Sequence, residues 1–160
     1  MKKLLIVVDM QNDFVTGVLG TKEAQMIVPD MVEYIKSFDG QIVFTRDTHD
    51  ENYLSTEEGK KLPVVHCIKG TEGWEIIPEL QFLTKDRDIY DKPSFGSLAL
   101  ADTLRSTSFS EIQLCGVCTG ICVISNAILA KAAEPDTPVK VLGNHFQLLS
   151  LGRKVETISP

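Results

Sequence analysis

Nowhere in the 160-residue chain does an apolar run approach the roughly 18 residues that a membrane-crossing helix needs. Positive charge is also in short supply. Sixteen Lys and Arg stand against 22 Asp and Glu, for a net charge of −6. Phosphate and anionic membrane surfaces are bound by clustered Lys and Arg, so neither nucleic acid nor membrane is expected as a partner. An export signal is not expected either. Met1-Lys2-Lys3 precedes an apolar run of only five residues, Leu4 to Val8, which Asp9 ends without a small-residue cleavage site. The expected location is therefore the cytoplasm, where the four cysteines, at 67, 115, 118 and 122, remain reduced thiols. Repeats and linker-like stretches are missing, so residues 1–160 read as one domain, long enough to bury a core.

Apolar residues make up 43% of the chain and charged residues 24%, as in globular proteins. Leu4 to Val8 reads as a strand covered on both faces. From Thr21 to Phe38, apolar residues at 24, 27, 28, 31, 32, 35 and 38 give a helical spacing, with Gly40 beyond its end. Pro29 predicts a kink or a late start. Further strands are predicted at Gln41 to Thr45, Asp88 to Tyr90, Glu111 to Gly116 and Val139 to Leu142. Further helices are predicted at Ser97 to Ser106 and Thr119 to Ala133. Residues 46–78 show little periodicity and read as a long functional loop. The tail from Gly143 is weakly patterned, with one short helix suggested near 146–151. Alternating strands and helices predict an open parallel sheet wrapped by helices.

Ligands of such a sheet bind beyond the carboxyl ends of its strands. Asp9 follows the first strand, Lys92 follows Ile89-Tyr90, and Gly116 through Cys122 follows the Leu114 strand. A thiol in the first turn of a helix gains thiolate character from free amides and the helix dipole. The same amides can cradle an oxyanion. Asp9 can take the thiol proton, and Lys92 can hold both anions. Each residue alone has an ordinary structural reading, and Cys115 within its apolar strand is a core thiol. The coincidence of three strand ends singles out Cys122 with Asp9 and Lys92. In the loop, Asp47-Thr48-His49 and His66 suit zinc or another borderline divalent ion, and Glu58 is the better candidate for a fourth ligand than Glu57.

Val7-Val8-Asp9-Met10-Gln11-Asn12-Asp13-Phe14, Asp91-Lys92-Pro93-Ser94-Phe95 and Gly116 through Val123 resemble the three signatures of the isochorismatase-like cysteine hydrolases. The resemblance runs in order over most of residues 4–142. It implies a Rossmann-like three-layer sandwich with a mainly parallel sheet of order 3-2-1-4-5, continued in the family by a sixth strand that this tail does not evidently supply. It implies a triad of Asp9, Lys92 and Cys122, with Cys122 rather than Cys118 as the nucleophile. It also implies a cis peptide between Val117 and Cys118, and an oxyanion hole from the amides of Cys118 and Cys122. Asp47, His49, His66 and, in some relatives, a Glu at the place of Glu58 resemble the metal ligands of the nicotinamidase branch. The metal expected is zinc, with manganese or iron as alternatives.

Three departures from that pattern matter. Nicotinamidases usually carry a Trp shortly before the second His, where this chain has Leu62-Pro63-Val64-Val65. Phe14 and Phe95 are left to line the pocket. Gly120 stands where an Asp is common. From about Asn144 the sequence no longer resembles the family's terminal helix and edge strand, which suggests sheet surface covered by a second copy in a homo-oligomer.

The expected function is metal-assisted amide hydrolysis of the nicotinamidase type, releasing ammonia from a small carboxamide through a thioester. Other family chemistry, on N-carbamoyl compounds or vinyl ethers, is the alternative. A non-catalytic relative is the reading from a different class.

Overall fold

The computed structural model describes residues 1–143 and 148–151 of the chain. Lys3–Val8 forms β1, with Leu4 to Val8 buried as their unbroken apolar run predicts. Asn12–Val15 is a single helical turn, α1. Lys22–Ser37 forms α2, and the Thr21 hydroxyl caps it by accepting the Ala24 N–H at 3.0 Å. Pro29 lies inside this helix without delaying its start. It removes one rung, but the Thr21 cap and the buried Ala24 and Val28 hold the first turns.

Gln41–Asp47 forms β2. The long loop that follows is not structureless. It holds a 3₁₀ turn at Tyr53–Ser55, the short helix α3 at Glu57–Lys61, and a second 3₁₀ turn at Glu72–Trp74. Pro78–Thr84 forms α4, a helix that the sequence reading did not anticipate. Ile89–Lys92 is β3, Leu98–Arg105 is α5, and Glu111–Gly116 is β4. A π-helical turn at Thr119–Val123 leads into α6, Ile124–Ala133, and Val139–Leu142 is β5.

Strands β1 to β5 are parallel in the order 3-2-1-4-5, as expected. Leu148–Leu151 adds β6, antiparallel to β5. This corrects two expectations for the tail: the sixth strand is present, and residues 148–151 are extended rather than helical. Four residues are too few for a self-supporting helix, whereas the free edge of β5 offers them a ladder. The remainder of the atypical tail, 144–147 and 152–160, lies outside the described residues.

Alternation along β1 divides the core between two faces. Leu5 and Val7 pack with Val28, Met31, Val32 and Ile35 of α2 and Leu80 of α4. Leu4, Ile6 and Val8 pack with Leu100 and Leu104 of α5 and Ala127 and Ala130 of α6. The result is three layers, with the carboxyl ends of β1 to β4 opening on one rim.

Candidate active site

Asp9 is the first residue past β1, and its φ of 52° turns the chain away from the sheet. The side chain is fully buried. Its Oδ1 accepts the Thr45 hydroxyl at 2.7 Å, and Oδ2 lies 2.7 Å from Lys92 Nζ. Lys92, the last residue of β3, is buried too. Its ammonium donates to the Ser94 carbonyl at 3.0 Å and stands 3.5 Å from Asp47 Oδ1. Burial opposes this charge, but Asp9, Cys122 and Asp47 outweigh it and raise the Lys92 pKa. For Asp9 the balance is reversed. Burial outweighs the Lys92 ammonium and raises the carboxyl above the usual range.

Cys122 is buried within the π-helical turn, where the charges of Asp9 and Lys92 both act on its thiol. Burial first, and then the Asp9 charge, push this thiol well above its ordinary value. This direction runs against the thiolate character expected from a helix N-terminus. Burial thus favours the protonated form of both the thiol and the neighbouring carboxyl group.

The chain reverses into this turn through Gly116 at φ 143° and Cys118 at φ 57°. A Cβ at Gly116 would stand 2.1 Å from the Val8 carbonyl oxygen, so the crossing requires glycine. The Val117–Cys118 peptide is trans, which corrects the expected cis bond. The two positive-φ residues make the reversal instead. The Cys118 amide has no hydrogen-bond partner among the described residues.

Asp47, His49, Glu58 and His66 each offer a ligand atom, all within 4.8 Å of one another. Asp47 Oδ2 is 3.0 Å from His49 Nε2 and 3.4 Å from His66 Nε2. Glu58 Oε1 is 3.8 Å from both imidazoles. His66 Nδ1 donates to the Val64 carbonyl at 2.7 Å, which leaves Nε2 facing the cluster. Asp47 Oδ1 is buried without a hydrogen-bond partner. Burial disfavours the Asp47 charge, but hydrogen bonds from His49 and His66 hold its pKa well below the carboxylate range. Two imidazole nitrogens and two carboxylate oxygens converging on one point fit a divalent cation of the zinc type. Cys67, beside His66, is buried in the core cluster and is not among the four converging residues.

Of the residues expected to line the pocket, Phe14 is buried with its ring edge-on to His66 at 5.5 Å. Phe95 is exposed on the loop after β3, where Asn126 Nδ2 donates to its carbonyl. The sequence reading missed several supporting residues. The Tyr53 ring lies tilted at 4.6 Å from that of His49 and edge-on at 4.9 Å from that of His66, and its hydroxyl donates to the Leu62 carbonyl. Trp74 carries the Arg46 guanidinium 3.6 Å above its ring and donates to the Thr48 hydroxyl. Asn126 accepts the Ser97 N–H and donates to the Cys122 carbonyl, tying the nucleophile turn to the loop after β3. Asp13 accepts the Cys67 N–H at 2.8 Å, and it and Gln11 lie inside the first of the three signatures. For Tyr53 and Trp74 the one signal was an aromatic residue in a polar loop.

The isochorismatase domain model matches residues 3–141. An isochorismatase family protein of Bacillus subtilis, PncA, is 34% identical over 144 residues, covering 80% of this chain and 78% of its own. The crystal structure of nicotinamidase/pyrazinamidase PncA from Bacillus subtilis superposes with a TM-score of 0.76 at 30% identity, covering 90% of this chain and 85% of that one. The pyrazinamidase of Pyrococcus horikoshii, solved in complex with zinc, gives a TM-score of 0.71 at 34% identity, with 83% and 80% covered.

Proposed function

Since the chain belongs to the isochorismatase family, we propose that it is a cysteine hydrolase of the nicotinamidase type, cleaving the C–N bond of a small carboxamide. The observation that carries this reading is the placement of Lys92. Its ammonium touches Asp9 at 2.7 Å and approaches Asp47 at 3.5 Å, so one cation joins the thiol–carboxyl pair to the Asp47-His49-Glu58-His66 cluster. Asp9 takes the proton from Cys122, and the sulfur attacks the amide carbonyl. The amides of Cys118 and Cys122 receive the oxyanion. Asp9 passes the proton to the nitrogen that leaves as ammonia; water, deprotonated by Asp9, then attacks the thioester, and Asp9 returns that proton to the Cys122 sulfur as the acid leaves. Lys92 holds Asp9 in place throughout. Asp47, His49, Glu58 and His66 would hold a divalent cation, which would supply Lewis acidity beside the thiol. Its identity is proposed as zinc. Phe14 and Phe95 are the proposed apolar walls.

The chain is proposed to work in the cytoplasm, in keeping with its four free cysteines, and as a homo-oligomer. Light scattering across a hundredfold concentration range checks the latter, and a constant monomer mass removes it. Leu62-Pro63-Val64-Val65, where nicotinamidases carry a Trp, favours a second substrate reading: a small amide other than nicotinamide. A panel of nicotinamide, an N-carbamoyl amino acid and a vinyl ether distinguishes the readings. Ammonia release from a carboxamide is expected, and turnover of the vinyl ether alone would contradict the amidase assignment.

A further inference from the structure

We propose that Gln11 is the positioning residue that aims Asp47 at the cation site; the inference rests on the metal reading given above. Strand β1 pairs with β2 as far as Val8 opposite Thr45, and the last main-chain bond between them runs from the Asp9 N–H to the Thr45 carbonyl at 3.2 Å. Asp9 then turns off at positive φ, and its own carbonyl accepts the Gln11 N–H at 2.7 Å instead of a group on β2. This leaves the next rung of β2, the N–H and C=O of Asp47, facing a strand that has departed. The Gln11 side chain fills the vacated rung. Its Oε1 accepts the Asp47 N–H at 2.7 Å, and its Nε2 donates to the Asp47 carbonyl at 2.8 Å. The second Nε2 hydrogen goes to the Trp74 carbonyl at 2.8 Å. The amide is fully buried, and three of its four hydrogen-bonding positions are satisfied by main chain alone.

A primary amide presents the same donor and acceptor pair as a peptide, so Gln11 acts as one more residue of β1. The consequence is geometric. The turn that frees Asp9 for the thiol would also release the end of β2, where Asp47 must face His49 and His66. Gln11 separates the two effects. On the other side, Asp47 pairs with Lys92 of β3, and the Thr48 N–H donates to the Lys92 carbonyl at 2.9 Å. Both edges of Asp47 are thus fixed, and with them the direction in which its side chain leaves the strand. Asn12, next in sequence, reaches only the Glu72 carbonyl with its side chain and does not touch β2.

Zinc affinity of the metal-free full-length protein, measured by competition with a chromophoric chelator, tests this together with the apoprotein's circular dichroism. Gln11→Met keeps the shape and removes the amide. It is expected to weaken zinc by about 10–100-fold while the dichroism stays native. Gln25→Met serves as the control, because Gln25 makes a comparable side-chain bond to the Val15 carbonyl, on the helix layer rather than at the site. It should change thermal stability and leave zinc affinity alone. If Gln11→Met does not fold, Gln11→Glu, which keeps the acceptor and loses both donors, is judged by the same criterion. A folded Gln11 variant that binds zinc as tightly as the parent overturns the positioning role. Failure of the parent itself to bind zinc removes the metal reading, and this role with it.

Discussion

A lysine ammonium with almost no contact with water stands between two carboxylates, and its neighbours show what it does. Without Lys92, Asp9 and Asp47 would both be buried anions facing each other's charge. Breaking such a pair from one side costs about 3–5 kcal/mol. Lys92→Met is therefore expected to lower stability at pH 7.5 by about that amount. The sign with pH follows from Asp9. Its pKa is already raised in the folded state by burial, and losing the cation raises it further. A raised group contributes stability that is present below its unfolded pKa and lost as pH rises through the folded one. Urea unfolding of Lys92→Met should thus recover stability between pH 7.5 and 5 relative to the parent, and a pH-independent difference would contradict this. The residues that converge, Asp9 and Lys92 beside Cys122 and Asp47 with His49, Glu58 and His66, were legible as residue types at strand ends and in one loop. The upward push on the Cys122 thiol was not, because it depends on burial and on the Asp9 charge beside it, neither of which a spacing contains. Gln11 escaped for a related reason: its task arises only where β1 and β2 part.

Two glycines in the segment leading to Cys122 set opposite demands on the element. Gly116 has a positive φ and no room for a Cβ beside the Val8 carbonyl. Gly116→Ala should cost about 3 kcal/mol or more and appear as a large fall in thermal midpoint. Gly120 has open space around its Cα and no positive φ. Gly120→Ala should raise stability by about 0.4–1 kcal/mol by restricting the unfolded chain, and a lowered midpoint would refute that. Elements with a strong apolar pattern were legible: β1, α2, β4 and β5 lie close to their expected bounds. The π-helical turn at Thr119–Val123 was not, since it follows from the positive φ of Cys118. Nor were α3 and α4, whose five and seven residues give periodicity too little length to register. The tail strand β6 depended on the free edge of β5, a tertiary fact.

At the scale of the whole molecule, the cation cluster gathers three successive stretches of the chain: the end of β2 with His49, helix α3 and the segment around His66. The isolated bridge between His49 and Ile68 ties two of them. A cation bound only by the folded state should therefore stabilise the whole fold. At a hundredfold excess of free metal over its Kd the gain is about 2.7 kcal/mol, or about 5–10 °C in midpoint for a chain of this size. Calorimetry before and after chelation should show that fall in the parent and none in His49→Ala. The central claim, that Cys122 attacks an amide carbonyl while Cys118 lends only its backbone, is tested most directly by ammonia release from a carboxamide substrate. Cys122→Ala is expected to lose at least about 10³-fold in rate, and Cys118→Ala to keep much of the parent activity. Undiminished release by Cys122→Ala would contradict the account.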